Sequence, residues 1–266
     1  LIAKATNAFI AKDIQGAIEF CKKALEIDPS YIQANLAMGS LYEWVGDLEK
    51  GKVYYNKALE LSEAKKDRNL LLASNFNLGK ILVRLGQVKE GIDFQNKALK
   101  IAQSINDQQN YAVILYNLGL SYLGDNEYEK AKSALSKSME AHENLKNSFG
   151  LAASYAGLGF YYSFSKEVDL EKAKQNFEEA VRIYESLNFK DGLAIVYSML
   201  GDYYYTKGQL DEGIIYFNKS LKISLETGNK FLEGTVYDGL GRLYAAKGEF
   251  GNAKEFYEKL LIITEN

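Results

Sequence analysis

Residues 77–91 read Asn77-Leu78-Gly79-Lys80-Ile81-Leu82-Val83-Arg84-Leu85-Gly86-Gln87-Val88-Lys89-Glu90-Gly91. A large apolar residue precedes Gly79, another follows three places later, and a small residue stands twelve places on. The pattern returns along the chain at Gly39, Gly79, Gly119, Gly159, Gly201 and Gly241, spaced 40, 40, 40, 42 and 40 residues apart. Met38, Leu78, Leu118, Leu158, Leu200 and Leu240 precede these glycines, and Tyr42, Leu82, Tyr122, Tyr162, Tyr204 and Tyr244 follow at three. The small residue at twelve is Gly51, Gly91, Ala131, Gly213 or Ala253. Ala173 comes two places late, which puts two extra residues within Ser165–Leu170. Self-similarity at a fixed period of this length marks a repeat architecture.

A second block follows each small residue. Four places on come Cys21, Tyr55, Gln95, Leu135, Phe177, Phe217 and Tyr257; seven on come Ala24, Ala58, Ala98, Ser138, Ala180, Ser220 and Leu260. Spacings of three and four are the helical period. Short turns such as Val45-Gly46-Asp47 separate the blocks, and glycine there can adopt the positive φ that ends a helix. Each unit is therefore two antiparallel helices, A then B. A glycine inside helix A costs about 1 kcal/mol relative to Ala, so its recurrence needs a packing reason: helix B approaches closely there. The A helices are expected at 2–11, 32–45, 69–85, 109–124, 150–165, 191–207 and 231–247, and the B helices at 14–27, 48–64, 88–104, 128–146, 169–186, 210–226 and 250–264.

Composition bounds the rest. In 266 residues there is one Pro, so enforced helix breaks are few. One Cys and one His exclude a disulfide framework and two-His or multi-Cys metal motifs. A net charge of −3 argues against a broad nucleic-acid surface. No apolar run is long enough to span a membrane, and no signal peptide opens the chain. The start at Leu1 rather than Met implies a fragment or a processed form.

The large–Gly–x–x–Tyr block and the Ala–x3–Phe–x2–Ala block resemble the tetratricopeptide repeat (TPR), over essentially the whole chain. The first unit is partial: Ala5 and Ala8 stand where Gly and Tyr are expected, while its helix B, from Gly16 to Asp28-Pro29, is a good match. Steps of 40 residues resemble the long-repeat subclass of kinesin light chains, LGN/Pins-type adaptors and bacterial peptide-sensing regulators. The resemblance implies an all-α fold, a right-handed α-solenoid of seven helix-turn-helix units. These are expected at 1–31, 32–68, 69–108, 109–148, 149–189, 190–229 and 230–266 of one domain, 1–266.

Residues with catalytic chemistry read as structural. His142 is expected on a helix surface and Cys21 as a buried apolar thiol. Gly239-Leu240-Gly241 lies inside an expected helix without a preceding strand, so it is no phosphate loop. Asn218-Lys219-Ser220 matches a glycosylation sequon but also falls in a helix. Acidic pairs such as Glu178-Glu179 are solvated faces. No catalytic residue, metal ligand or cofactor is expected, and the protein is read as a non-enzyme. Stacking of single-stranded RNA on the many tyrosines is disfavoured, because Tyr42, Tyr122, Tyr162, Tyr204, Tyr244 and Phe217 belong to the repeat core and no continuous basic groove accompanies them.

TPR proteins line their concave face with helix A. Positions −6, −3, −2, +1, +4 and +5 from each glycine fall on that flank. Candidate binding residues there are Trp44, Phe76, Asn77, Lys80, Arg84, Tyr116, Asn117, Leu120, Phe160, Phe164, Asp202, Tyr205, Asp238 and Arg242. Asn77 and Asn117 share one position, and long-repeat relatives hold an extended peptide backbone with Asn there. Ala37, Gly157, Met199 and Gly239 depart from it. Lys80 and Arg84 form a basic spot that loosely resembles the carboxylate clamp of chaperone-binding TPRs, without the basic neighbours that Leu120 and Gly124 would have to supply. The middle of the face is apolar and aromatic, and its far end carries Asp202, Asp238 and Arg242. The expectation is a cytoplasmic scaffold for a protein or peptide segment, binding neither nucleic acid nor membrane, with end-to-end self-association through uncovered apolar termini. The alternative is the sensory or regulatory region of a larger signalling protein.

Overall fold

The computed structural model describes residues 1–166 and 168–264; Glu167, within the expected two-residue insertion, and the last two residues fall outside. The fold class is all-α, of the solenoid type: A and B helices alternate along the chain and pair within each compact unit. The A helices are α1 (Ile2–Ile10), α3 (Ile32–Trp44), α5 (Arg68–Arg84), α7 (Gln108–Gly124), α9 (Ser148–Phe164), α11 (Lys190–Thr206) and α13 (Lys230–Ala246). The B helices are α2 (Ile14–Ile27), α4 (Leu48–Lys65), α6 (Val88–Ser104), α8 (Tyr128–Asn144), α10 (Leu170–Ser186), α12 (Leu210–Thr227) and α14 (Phe250–Thr264). No end departs from the expected position by more than two residues. The chain forms two compact units, Leu1–Glu127 and Tyr128–Asn266.

The boundaries have local causes. Asp13, Asp47, Asp67, Asp107, Asn147, Asp169 and Asn229 each accept a hydrogen bond from a first-turn backbone N–H, satisfying a donor the helix cannot. Gly46, Gly86 and Gly208 take φ of 84°, 80° and 76° in the turns between helices A and B.

The glycines of helix A do admit helix B. A β-carbon at Gly159 would lie 2.7 Å from the Phe177 ring, at Gly201 2.6 Å from Phe217 and at Gly241 2.6 Å from Tyr257; at Gly39 it would overlap Tyr55. Tyr55, Phe177 and Phe217 are fully buried, and burial of such large rings is a major apolar contribution to each pair. The small residue of helix B serves two neighbours: a β-carbon at Gly51 would meet Gly39 O of its own pair at 3.1 Å and Ile81 of the next at 2.6 Å. The tyrosines three places after the glycines stack on helix B, Tyr42 on Tyr54 with centroids 5.5 Å apart and Tyr204 on Tyr216 at 5.1 Å.

Cys21 is fully buried and burial pushes its thiol pKa up. His142 corrects the expectation of a surface histidine: it is 2% exposed. Its imidazole packs where Gly150 of α9 has no side chain, so a β-carbon there would overlap the ring. Its place in helix B is that of Ser62, Ala102, Tyr184 and Ser224, all buried. Burial lowers its pKa, and Nδ1 has no hydrogen-bond partner among the described residues.

Candidate functional site

The fourteen candidate residues all lie on A helices, and none is fully buried. They form two sets, one in each compact unit.

In the first unit, Trp44 is 65% exposed and meets the ring of Phe9 edge-on at 5.3 Å. Phe76 is half-buried under the Lys80 ammonium, 5.8 Å from its centroid. The Asn117 amide donates to Val113 O at 2.9 Å, which leaves its oxygen available. The Asn77 amide has no hydrogen-bond partner among the described residues. Tyr116 and Leu120 are half-buried on α7, and burial raises the Tyr116 phenol to about 12.

Lys80 and Arg84 differ from a free basic spot. Glu43 of the preceding A helix reaches both, Oε1 standing 3.6 Å from Lys80 Nζ and 3.0 Å from Arg84 NH1. Its other oxygen accepts from the Tyr55 hydroxyl at 3.0 Å, and that hydroxyl also meets Ser40 Oγ at 3.0 Å. Burial raises the Tyr55 pKa, so it remains a donor at neutral pH. Two cations thus share the one Glu43 carboxylate. Glu43, Ser40 and Tyr55 were missed as site residues, because Glu43 stands 37 and 41 positions from its partners and only the repeat length connects them.

In the second unit, Phe160 and Phe164 lie 4.7 Å apart; Phe160 is half-buried against the core and Phe164 is 38% exposed. Arg242 joins two carboxylates, Asp202 at 2.8 Å and Asp238 at 3.0 Å, and lies 5.5 Å from the Tyr205 ring. Burial pushes the Asp202 carboxyl up, against the pull of Arg242. This cluster keeps one negative charge in excess.

Among the described residues, no group of three His, Cys, Asp or Glu side chains could hold a metal, and no helix is long and apolar enough to cross a membrane. The first set offers hydrogen-bonding amides beside partly neutralised cations, and the second offers aromatic surface beside partly neutralised carboxylates.

Known proteins agree with this architecture. Apo RapI superposes with a TM-score of 0.78 at 16% identity, covering 99% of this chain and 96% of that one. The Rap conjugation gene regulator of plasmid pLS20, in complex with the Phr* peptide, gives 0.76 at 17% identity over 99% and 72%. The STAND protein with a tetratricopeptide repeat sensor from Pyrococcus horikoshii gives 0.67 at 19% identity over 98% and 41%. At these identities the likeness is one of fold. No curated protein sequence matches. Tetratricopeptide repeat profiles match residues 3–31, 30–104, 70–144, 110–186 and 192–266. With the repeat pattern matched along nearly the whole chain, this protein belongs to the tetratricopeptide repeat family.

Proposed function

We infer that the chain is a non-catalytic, cytoplasmic scaffold that holds a peptide segment or protein partner on its A-helix face. The observation that carries this reading is the unfilled hydrogen-bonding capacity of Asn77 and Asn117, at one repeat position on a half-exposed face. An amide side chain supplies both donor and acceptor, so it can pair with a peptide backbone of any sequence. The Phr* complex of a similarly folded regulator supports a peptide as the ligand class. The two cations that share Glu43 favour an acidic partner residue in the first unit, and the two carboxylates that share Arg242 favour a basic one in the second. Phe160, Phe164 and Tyr205 add apolar contact. Exposed Ile10, Phe250 and Ile262, at 73, 72 and 61%, support end-to-end self-association as a secondary property.

Selection of binders from a random peptide library displayed on phage tests the reading. Enriched peptides should lose affinity for the Asn77→Ala and Asn117→Ala variants and retain it for Lys222→Ala, on helix B. Failure to enrich any peptide, or binding that ignores both Asn variants, would overturn it. A second reading, the sensory region of a larger signalling protein, is supported by the STAND protein, of which this chain covers 41%.

A further inference from the structure

Besides Ala5 and Ala8, the first helix pair departs from the others at a third repeat position, in helix B. Four places after the small residue of helix B, later pairs carry Tyr55, Gln95, Leu135, Phe177, Phe217 or Tyr257. Tyr55, Gln95, Phe177, Phe217 and Tyr257 fill the space above the glycine of their own helix A, and Tyr55 extends far enough for its hydroxyl to reach Ser40 on the A-helix face. The first pair has Cys21 there, whose side chain ends at one sulfur.

The space it leaves is an open cleft of about 190 Å³ between α1 and α3, with Cys21 at its floor. Ala5, Phe9, Ala37 and Leu41 make its walls largely apolar, and Ser40 stands at its edge. Phe9 and the exposed Trp44 form an aromatic pair beside it. An apolar cavity of about 150 Å³ stays dry and admits a benzene-sized group, so a Leu or Phe side chain suits this one.

Polar contacts run from the cleft to the charged cluster. Ser40 meets the Tyr55 hydroxyl at 3.0 Å, that hydroxyl donates to Glu43 at 3.0 Å, and Glu43 pairs with Arg84 at 3.0 Å. Lys80 and Arg84 therefore lie within a few residues' reach of the cleft, an extended chain advancing about 3.3 Å per residue.

We propose that the α1–α3 cleft is an anchoring pocket for a large aliphatic or aromatic side chain of a peptide that carries a carboxylate one to three residues away, held by Lys80 and Arg84. This inference rests on the A-helix-face reading above and gives it a ligand chemistry. Glu43 competes for the same cations, so an incoming carboxylate shares or displaces it, and selectivity for acidic over neutral peptides is correspondingly moderate.

The test is an array of immobilised octapeptides in a Gly/Ser background, probed with the full chain. Each contains one Leu, Phe or Ala and, one to three places away, one Glu, Gln or Lys. Leu–Glu and Phe–Glu peptides should bind about tenfold better than Ala–Glu peptides, the effect of burying one large apolar side chain. They should lose binding when Glu becomes Lys. In solution the best of them should shift the emission of Trp44, the single tryptophan.

The double variant Ala5→Gly/Cys21→Phe rebuilds the Gly159–Phe177 arrangement and fills the cleft; it should abolish this binding while thermal unfolding stays cooperative. Cys21→Ser keeps the space and should keep the binding. Indifference to Leu or Phe, or full binding by the filled variant, would overturn the proposal. Peptides sensitive to Asn117→Ala but not to filling of the cleft would overturn it while leaving the A-helix-face reading intact. An array on which nothing binds would overturn this pocket, and the phage selection would then judge the broader reading separately.

Discussion

Phe217 reaches across from α12 to Gly239 in the next A helix, and a β-carbon at Gly239 would overlap the end of its ring. The same ring also faces Gly201 of its own pair, where a β-carbon would lie 2.6 Å away. One aromatic side chain thus accounts for two glycines. Gly239 occupies the position held by Asn77 and Asn117, so the absence of Asn there is set by packing.

Restoring Asn at this point should therefore cost stability. Gly239→Asn and Gly201→Leu each force Phe217 to move, and overpacking of this kind typically costs about 1–3 kcal/mol. Urea denaturation should show a lowered midpoint for both. An unchanged midpoint for Gly201→Leu would mean that the close approach of α11 and α12 is wrong.

His142 makes the second unit sensitive to acid. Burial depresses its folded-state pKa below the unfolded value of 6.5. The unfolded chain then binds more protons than the folded one, so this contribution is complete above about pH 6.5 and is lost as pH falls towards the folded pKa. The urea midpoint should drop between pH 7.5 and pH 5.0 by more in the native chain than in His142→Phe, which keeps a ring against Gly150. Equal drops would show that the imidazole binds its proton equally well in the folded and unfolded states.

The two asparagines should contribute unequally to binding. Asn117 already donates to Val113 O, whereas the Asn77 amide has both donor and acceptor available. Replacing either by Ala should cost about 0.5–1.5 kcal/mol of peptide affinity, the net value of one hydrogen bond, with Asn77→Ala at the upper end. Isothermal titration of a phage-selected peptide measures both; a larger loss at Asn117 would reverse the assignment.

Phe160 and Phe164 should separate by burial. Phe160 packs against the core formed by α9, α10 and α11, and its truncation to Ala should cost about 1–3 kcal/mol of stability. Phe164, at 38% exposure, should cost less than about 1 kcal/mol and act mainly on binding. Thermal unfolding of the two Ala variants decides, and equal losses would make both rings structural.

The fold was legible because packing writes it into the chain repeatedly. Gly159 opposite Phe177, Gly201 opposite Phe217 and Gly241 opposite Tyr257 are the same contact met three times, each enforced by sterics. His142 shows how a single residue type misleads: imidazole is common on surfaces, yet its column of Ser62, Ala102, Tyr184 and Ser224 is buried. Reading that column, with Gly150 and Gly192 opposite the larger members, would have identified it.

The face of the A helices was legible in outline only. Packing constrains a few of its positions, such as Gly239 against Phe217, and position alone selected the rest. The pairing of Lys80 and Arg84 with Glu43 arises between successive A helices, where the register, and no local spacing, sets the partner. The cleft above Cys21 needed a comparison with the larger residues at its equivalent positions.

Cys21 also provides a clock. It is the single thiol of 266 residues, it is fully buried, and it lies on α2 packed against Ala5 of the nine-residue α1. A thiol reagent too bulky to enter the α1–α3 cleft reacts only when this pair opens, and the limiting rate of modification then measures the free energy of that opening. The fraying of one terminal repeat can thus be followed separately from global unfolding, without introducing any label.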